Sequence, residues 1–174
     1  LSLPSQNMLV NGDFDAGALD GVPTGWTTFN STWAGGVSDI QCRNYAWIHN
    51  PNPTHYGAYA LTIGEWGDGG SGGVSQLVTV TPATTYMVTA KFNWGHWGNP
   101  NAWFEIGVLD GDGDPDDPDT YPPIALIKKT DADPQVPDGW VDVALIFTPT
   151  QAQVEVFIKA GADEGYGDPF ATWA

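Results

Sequence analysis

The chain has 174 residues, 41% of them hydrophobic, and carries 21 acidic against 5 basic residues, for a net charge of −16. This length and hydrophobic content predict one globular domain rather than a disordered chain. The charge excludes ordinary nucleic-acid binding, which needs cations for phosphate, and argues against anionic lipid and acidic polysaccharide as ligands. No run of about 18 apolar residues occurs, so we expect no membrane insertion. Cys42 is the only cysteine, which excludes an internal disulfide.

Short alternating apolar runs, typical of strands, follow one another along the chain. In chain order they are Tyr59–Ile63, Val74–Val80, Thr85–Phe92, Ala102–Leu109, Ile124–Lys128, Trp140–Phe147 and Gln153–Ile158. Turn residues separate these runs, and only Ala16–Leu19 suggests a short helical turn. The pattern predicts an all-β fold, an antiparallel β-sandwich or jelly roll, over residues 1–174 with an extended segment at residues 1–7.

Five of the nine tryptophans lie in or beside stretches rich in Gly, Asn, His and Pro, where core packing is harder to explain. The flat apolar face of an indole suits stacking on a sugar ring, and amides or carboxylates suit its hydroxyl groups. Trp103 begins a strand and is equally well explained as core. The alternative for the others is packing of loops onto the ends of the sandwich. The candidate ligand residues are Trp66, Trp94, Trp97, Trp47, Asn99, Asn101 and Glu65.

The segment from Asp110 to Asp119 places carboxylates at every second position, spaced by glycine. Calcium takes six to eight oxygen ligands in loose geometry, which such a segment can supply. Pro115 stands where a helix–loop–helix calcium loop needs glycine, so this is not an EF-hand. The alternative is a solvated acidic hairpin tip. The candidate Ca²⁺ ligands are Asp110, Asp112, Asp114 and either Asp116 or Asp117.

Three motifs carry a resemblance to a known family. They are Asn11–Gly17 with Gly25-Trp26, the stretch Ser75–Tyr86, and Trp140–Val143 followed by Phe147-Thr148-Pro149. In order and spacing they resemble jelly-roll carbohydrate-binding modules with a galactose-binding-domain-like fold, of the family 4, 9 and 22 type. Large aromatic residues pack between the sheets of a sandwich, which predicts core positions for Trp26 and Trp140. The resemblance implies a structural calcium ion near the N-terminal motif, held by Asp13 or Asp15, although either residue could equally cap a turn.

The chain departs from that family at its end. Such modules close with a further strand, whereas this sequence stops at Ala174, about where that strand would begin or be half built. A strand from a neighbouring chain could complete the sheet. Residues 1–6 are a candidate donor.

Catalytic signals are weak: the histidines show no metal-binding spacing, and Glu105 and Glu155 would face each other only in one particular register. The sequence therefore predicts a non-catalytic, calcium-stabilised module that binds neutral polysaccharide, extracellular or at the cell surface. The alternative is a self-assembling structural subunit of a fibre, surface layer or virion, with identical subunits as partners and calcium at their interfaces.

Overall fold

The computed structural model describes residues 7–16, 21–30, 37–44, 59–66, 70–96, 102–130, 141–162 and 169–173. These residues form the strands β1 (Thr27–Asn30), β2 (Val37–Asn44), β3 (Tyr59–Trp66), β4 (Gly70–Thr79), β5 (Tyr86–His96), β6 (Ala102–Asp110), β7 (Ala125–Thr130), β8 (Val141–Phe147), β9 (Gln153–Ala162) and β10 (Pro169–Trp173). Within these ranges no helix is long and apolar enough to span a membrane.

The strands form two five-stranded antiparallel sheets. Sheet A has the order β1-β4-β9-β6-β7, and sheet B has the order β2-β3-β10-β5-β8. Alternate residues of each sheet meet in a shared core, where the rings of Phe92 in sheet B and Phe104 in sheet A have centroids 4.0 Å apart. The predicted all-β, antiparallel jelly-roll sandwich is confirmed.

Each of the seven predicted runs coincides with a strand, from β3 to β9, but several ends differ. β4 begins at Gly70, four residues before the predicted start, because glycines there have no side chains to show an alternation. A Cβ at Gly73 would lie 2.0 Å from the backbone oxygen of Ile158 in β9, so the close approach of these strands requires glycine. β1, β2 and β10 were not predicted, and residues 17–19 of the helical turn predicted at Ala16–Leu19 lie outside the described residues.

The N-terminal motif folds as expected from its residues. Asn11 has a φ of 53°, and its backbone oxygen accepts a hydrogen bond from the Phe14 amide at 3.1 Å. The turn delivers Phe14 into the core, where its ring lies 5.2 Å from that of the buried Trp26. The indole N–H of Trp26 donates back to the Asn11 oxygen at 3.1 Å. The core position predicted for Trp26 is confirmed, and Trp140 lies outside the described residues.

A buried glutamine on β4 ties this motif to sheet A. Gln76 Nε2 donates to the backbone oxygens of Val10 (2.9 Å) and Gly25 (2.8 Å), and its Oε1 accepts from the Val10 amide at 2.8 Å. One side chain thus satisfies three backbone groups, which fixes where the N-terminal segment reaches the sandwich.

The last described residues occupy the position between β3 and β5. β10 pairs with residues 61–64 of β3 and residues 92–96 of β5. The five residues of β10 thus form a central strand of sheet B, and a further strand beyond them stays a prediction. Residues 1–6, the candidate donor, lie outside the described residues.

The strand order gives the sandwich two distinct ends. β3 and β5 end, and β6 begins, at the end that we call the aromatic end. β6 ends and β7 begins at the opposite end, the acidic end. The two ends are separated by the length of β6, about 30 Å for nine residues.

Candidate functional site

The backbone register brings three candidate ligand residues to the aromatic end of sheet B. Gly64 of β3 and Gly95 of β5 both pair with Phe170 of β10. Glu65 and Trp66 follow directly on β3, and Trp94 precedes Gly95 on β5. The backbones of β3 and β5 are here two strand spacings apart, about 10 Å. The register sets Trp94 level with Ile63, three residues along the sheet from Trp66. The backbones of Trp66 and Trp94 are therefore about 14 Å apart at the same end of sheet B, although the two residues are far apart in sequence.

The other candidate ligand residues lie outside the described residues. Trp97, Asn99 and Asn101 belong to the connection from His96, where β5 ends, to Ala102, where β6 begins, so that connection starts and finishes at the aromatic end. Trp47 belongs to the connection between Asn44 and Tyr59, whose ends lie at the acidic end. The connection that contains Trp47 thus begins and ends at the acidic end, whereas the connection that contains Trp97 begins and ends at the aromatic end.

Trp103 lies on the outer face of sheet A, opposite to the core residue Phe104. Its half-buried ring has the Lys128 Nζ 4.2 Å and the Lys159 Nζ 5.9 Å from its centroid. Both ammonium groups are also ion-paired: Lys128 with Glu105 at 3.0 Å, and Lys159 with Asp116 at 2.8 Å. The cation–π contacts attract the ammonium groups to the ring face, and the two carboxylates neutralise their charges locally. The sequence did not reveal this cluster, because its members come from three strands and a loop and meet only through the register.

The acidic segment forms the connection from β6 to β7, and its carboxylates have individual partners. The carboxylate of Asp110 accepts hydrogen bonds from the amides of Thr150 and Gln151, both at 3.0 Å, and from the Thr150 hydroxyl. Burial acts to raise the pKa of Asp110, but these hydrogen bonds outweigh it and lower the pKa. Asp110 therefore caps the turn that joins β8 to β9.

Asp114 and Asp117 shape the connection itself. Asp114 Oδ1 accepts from the Asp116 amide at 2.9 Å, and Asp117 Oδ1 accepts from the Thr120 amide at 3.1 Å. The hydrogen bonds from Thr120 lower the pKa of Asp117. These are the local bonds by which Asp favours turns.

Lys159 attaches the same connection to sheet A. Its Nζ donates to the Pro115 oxygen at 3.2 Å and pairs with Asp116, and the Lys159 side chain is only 9% exposed. Pro115 is buried, and so is Phe157, which precedes Lys159 by two residues on the same face of β9. The connection thus covers part of the outer face of sheet A.

The predicted calcium ligands do not form one closed group. Among the described residues, no three or more His, Cys, Asp or Glu side chains are arranged to hold a metal ion. At the N-terminal motif, Asp13 Oδ1 accepts from the Asp15 amide at 3.4 Å, a turn-capping contact. Asp112 is exposed. Calcium binding at either place stays a prediction.

Glu155 is the most buried carboxyl group of the acidic end, at 7% exposure on the outer face of β9. Burial and the negative charge of Asp112 raise its pKa, against the hydrogen bond from Ser75. Glu105 lies on the same face, but the register pairs it with Lys159, whereas Glu155 pairs with Leu109. The two acids are thus about 13 Å apart along the sheet, beyond the roughly 5 to 10 Å of a glycosidase pair.

Comparison of the sequence with protein-family models and with curated proteins gives no match. Comparison of the fold with solved structures does. A family 61 carbohydrate-binding module in complex with β-1,4-galactotriose is 16% identical, with a TM-score of 0.63 over 97% of this chain and 94% of that chain. A family 4 carbohydrate-binding module is 16% identical, with a TM-score of 0.51 over 94% of each chain.

Enzymes share the same fold. A Stig cyclase from Fischerella sp. TAU, solved with an indole compound, is 15% identical, with a TM-score of 0.60 over 94% of each chain. Identities this low establish the fold alone. The resemblance to carbohydrate-binding modules inferred from the sequence motifs is therefore confirmed as a likeness of fold, that of a jelly-roll carbohydrate-binding module.

Proposed function

We propose that this protein is a non-catalytic module that binds neutral polysaccharide through aromatic side chains at the aromatic end. The observation that carries the proposal is the register that brings Trp66 and Trp94 to the same end of sheet B. The connection that leaves β5 beside them contains Trp97, Asn99 and Asn101. Indoles carried by backbones about 14 Å apart at this end could contact different parts of one sugar chain, with Glu65 and the two amides bonding hydroxyl groups.

The charge pattern supports a neutral ligand. Three of the 5 basic residues, Lys91, Lys128 and Lys159, are ion-paired with acidic residues of the same chain. A polyanion would meet a protein of net charge −16 with few cations to offer it. A polysaccharide ligand fits a protein that works outside the cell or at its surface, and this location belongs to the same proposal.

The proposal of a non-catalytic role is supported by the separation of Glu105 and Glu155, the two acids considered for glycoside hydrolysis. Because a Stig cyclase shares the fold, cyclisation of indole compounds is a second activity to test directly. Incubation with the polysaccharide that binds should release no reducing ends, and incubation with indole compounds should give no cyclised product. Turnover in either assay would contradict the proposal.

Binding is tested by a glycan array followed by electrophoresis in gels that contain the best soluble glycan. Trp66→Ala, Trp94→Ala and Trp97→Ala should each weaken binding about five- to thirty-fold, because a stacked ring contributes roughly 1 to 2 kcal/mol. The matched control is Tyr121→Ala, which removes an exposed aromatic ring at the acidic end. Trp47→Ala should also leave retention unchanged. Circular dichroism verifies folding, and unchanged retention of all three tryptophan variants would place the site elsewhere.

We also propose that calcium binds the β6–β7 connection. The support is chemical: carboxylate oxygens are the ligands that calcium prefers, and five aspartate side chains fall within residues 110–117. Binding would require rearrangement, because Asp114 bonds to the Asp116 amide and Asp116 pairs with Lys159. The melting temperature should rise with millimolar calcium and fall with chelator, and Asp112→Asn with Asp114→Asn should abolish the rise. An identical melting temperature with calcium and chelator would contradict the site.

A further inference from the structure

Three residue pairs of one reactive type lie within the described residues: Asn11-Gly12, Asp110-Gly111 and Asp112-Gly113. In such a pair the glycine amide nitrogen can attack the side-chain carbonyl carbon of the preceding residue, because glycine has no side chain to hinder the approach. Ammonia leaves from asparagine, or water from aspartate, and a cyclic succinimide forms. Water then opens the ring to aspartate or to isoaspartate, in which the backbone runs through the side-chain carbon.

Asn11-Gly12 is the most reactive of these pairs by residue type, because an aspartate carboxyl group is ionised at neutral pH and resists attack. The fold holds its reacting side chain in place. Asn11 accepts a hydrogen bond from the Ala16 amide at 2.7 Å and donates to the backbone oxygens of Ala16 (2.7 Å) and Thr24 (3.0 Å). Attack by the Gly12 amide would require the side chain to leave all of these partners.

Asp110-Gly111 is held at both reacting groups. The Asp110 carboxylate accepts the hydrogen bonds from Thr150 and Gln151 described above, and the Gly111 amide donates to the Gln153 backbone oxygen at 2.9 Å. Burial acts to raise the pKa of Asp110, but the hydrogen bonds lower it. The carboxyl group is therefore seldom in the neutral form from which water can leave.

Asp112-Gly113 differs from both other pairs. Asp112 is exposed, and within the part of the chain that the structure describes neither its carboxylate nor the Gly113 amide takes part in a hydrogen bond. Both groups are thus free to reach the geometry of attack.

The other acids of the β6–β7 connection lack this combination. Asp114 and Asp117 precede proline, which has no N–H to attack with. Asp116 and Asp119 precede residues whose side chains hinder the approach. Asp112 is therefore the one residue from 110 to 119 at which a free carboxylate meets an unhindered and unbonded amide.

We propose that Asp112-Gly113 is a site of spontaneous isoaspartate formation in the folded protein, and that the fold suppresses the same reaction at Asn11 and Asp110. The product has the same mass as the original chain, but its backbone is one carbon longer within the β6–β7 connection. Asp112 is a candidate calcium ligand, and its negative charge acts on the buried carboxyl group of Glu155. The modification therefore moves a charge at the acidic end.

Prolonged incubation of the full chain at neutral pH, with EDTA present, tests this proposal. Peptide mapping with fragmentation of the backbone locates each isoaspartate. Three further Asp-Gly pairs, which involve residues outside the described ranges, begin at Asp20, Asp68 and Asp138. Isoaspartate should form at Asp112 at least about ten-fold faster than at Asp110, because the bonds from three donors must break before Asp110 can react.

The same incubation in urea is the control for the role of the fold. There Asn11 should react fastest, and Asp110 and Asp112 should react at similar rates, whereas Asn11 should stay unmodified in the folded chain. Equal rates at Asp110 and Asp112 in the folded chain would overturn the proposal. Isoaspartate that appears at Asp112 only after unfolding would overturn it as well.

Two substitutions at the same exposed position are matched to each other. Asp112→Glu should abolish the product at this position, because attack on a glutamate side chain closes a less favourable six-membered ring. Asp112→Asn should speed the reaction, which is then detected by the gain in mass on deamidation. Deamidation of this asparagine no faster than that of Asn11 in the folded chain would contradict the proposed difference between the two sites.

Discussion

Replacing Gln76 by alanine tests how the N-terminal motif is held against the sandwich. The buried side chain makes three hydrogen bonds of 2.8 to 2.9 Å to backbone groups of Val10 and Gly25. Each such bond contributes about 1 kcal/mol net, so Gln76→Ala should lower the free energy of unfolding by about 3 kcal/mol. For a domain of this size that loss corresponds to a fall of roughly 6 to 12 °C in melting temperature.

Urea denaturation followed by tryptophan fluorescence measures this loss. The control is Gln153→Ala, an exposed glutamine on the neighbouring strand β9, which should change the free energy by less than about 0.5 kcal/mol. Gln76→Glu is a sharper test, because a carboxylate would face the two backbone oxygens to which Nε2 now donates. It should destabilise at neutral pH and recover as the pH falls. A loss below about 1 kcal/mol for Gln76→Ala would refute the view that this residue anchors the motif.

Two further predictions concern the acidic end. Lys159→Met leaves the half-buried Asp116 carboxylate without its partner, so it should lower the free energy of unfolding by about 3 kcal/mol and speed proteolysis of the β6–β7 connection. The control is Lys91→Met, which should lower the free energy of unfolding by less than about 1 kcal/mol, because its partner Asp142 is 79% exposed. Equal losses would show that burial of the pair is unimportant. Folding raises the pKa of Glu155 above its ordinary value of 4.5. The contribution of this carboxyl group to the free energy of unfolding is therefore complete below pH 4.5 and is lost as the pH rises through the pKa of the folded state. Glu155→Gln should therefore flatten this fall in a pH series of unfolding curves, and parallel curves would contradict it.

The strands that the sequence predicts are those whose apolar core residues recur at every second position. On β8, Val143, Leu145 and Phe147 are buried and alternate with exposed residues, whereas on β9 the intervening residues Glu155 and Phe157 are buried as well. β2 was not predicted because its sequence, VSDIQCRN, mixes polar and apolar residues without a clear period. β10 has five residues, too few for a period to be read. Its central position in sheet B comes from pairing with strands far away in sequence.

The sequence predicted which types of residue form the sites but not where the fold places them. Trp103 and Phe104 are adjacent aromatic residues, and local sequence does not say which one faces the core. The answer depends on Lys128 and Lys159, which come from β7 and β9 and meet Trp103 through the sheet register. Asp-rich sequence is equally ambiguous, because carboxylates that could ligate calcium also cap turns. Asp110 shows this, since its partners, Thr150 and Gln151, are 40 and 41 residues away.

The two strongest signals in the sequence, indoles and carboxylates, belong to opposite ends of the sandwich. Trp66 and Trp94 lie on strands at the aromatic end, whereas Asp110 and Glu155 lie about 30 Å away at the acidic end. A charge so far away is largely screened at physiological salt, where the Debye length is about 8 Å. Calcium at the acidic end would therefore act on stability without direct contact with a glycan at the aromatic end. If chelation lowers the melting temperature, sugar affinity measured below that temperature should stay the same, which separates a structural ion from one that takes part in binding.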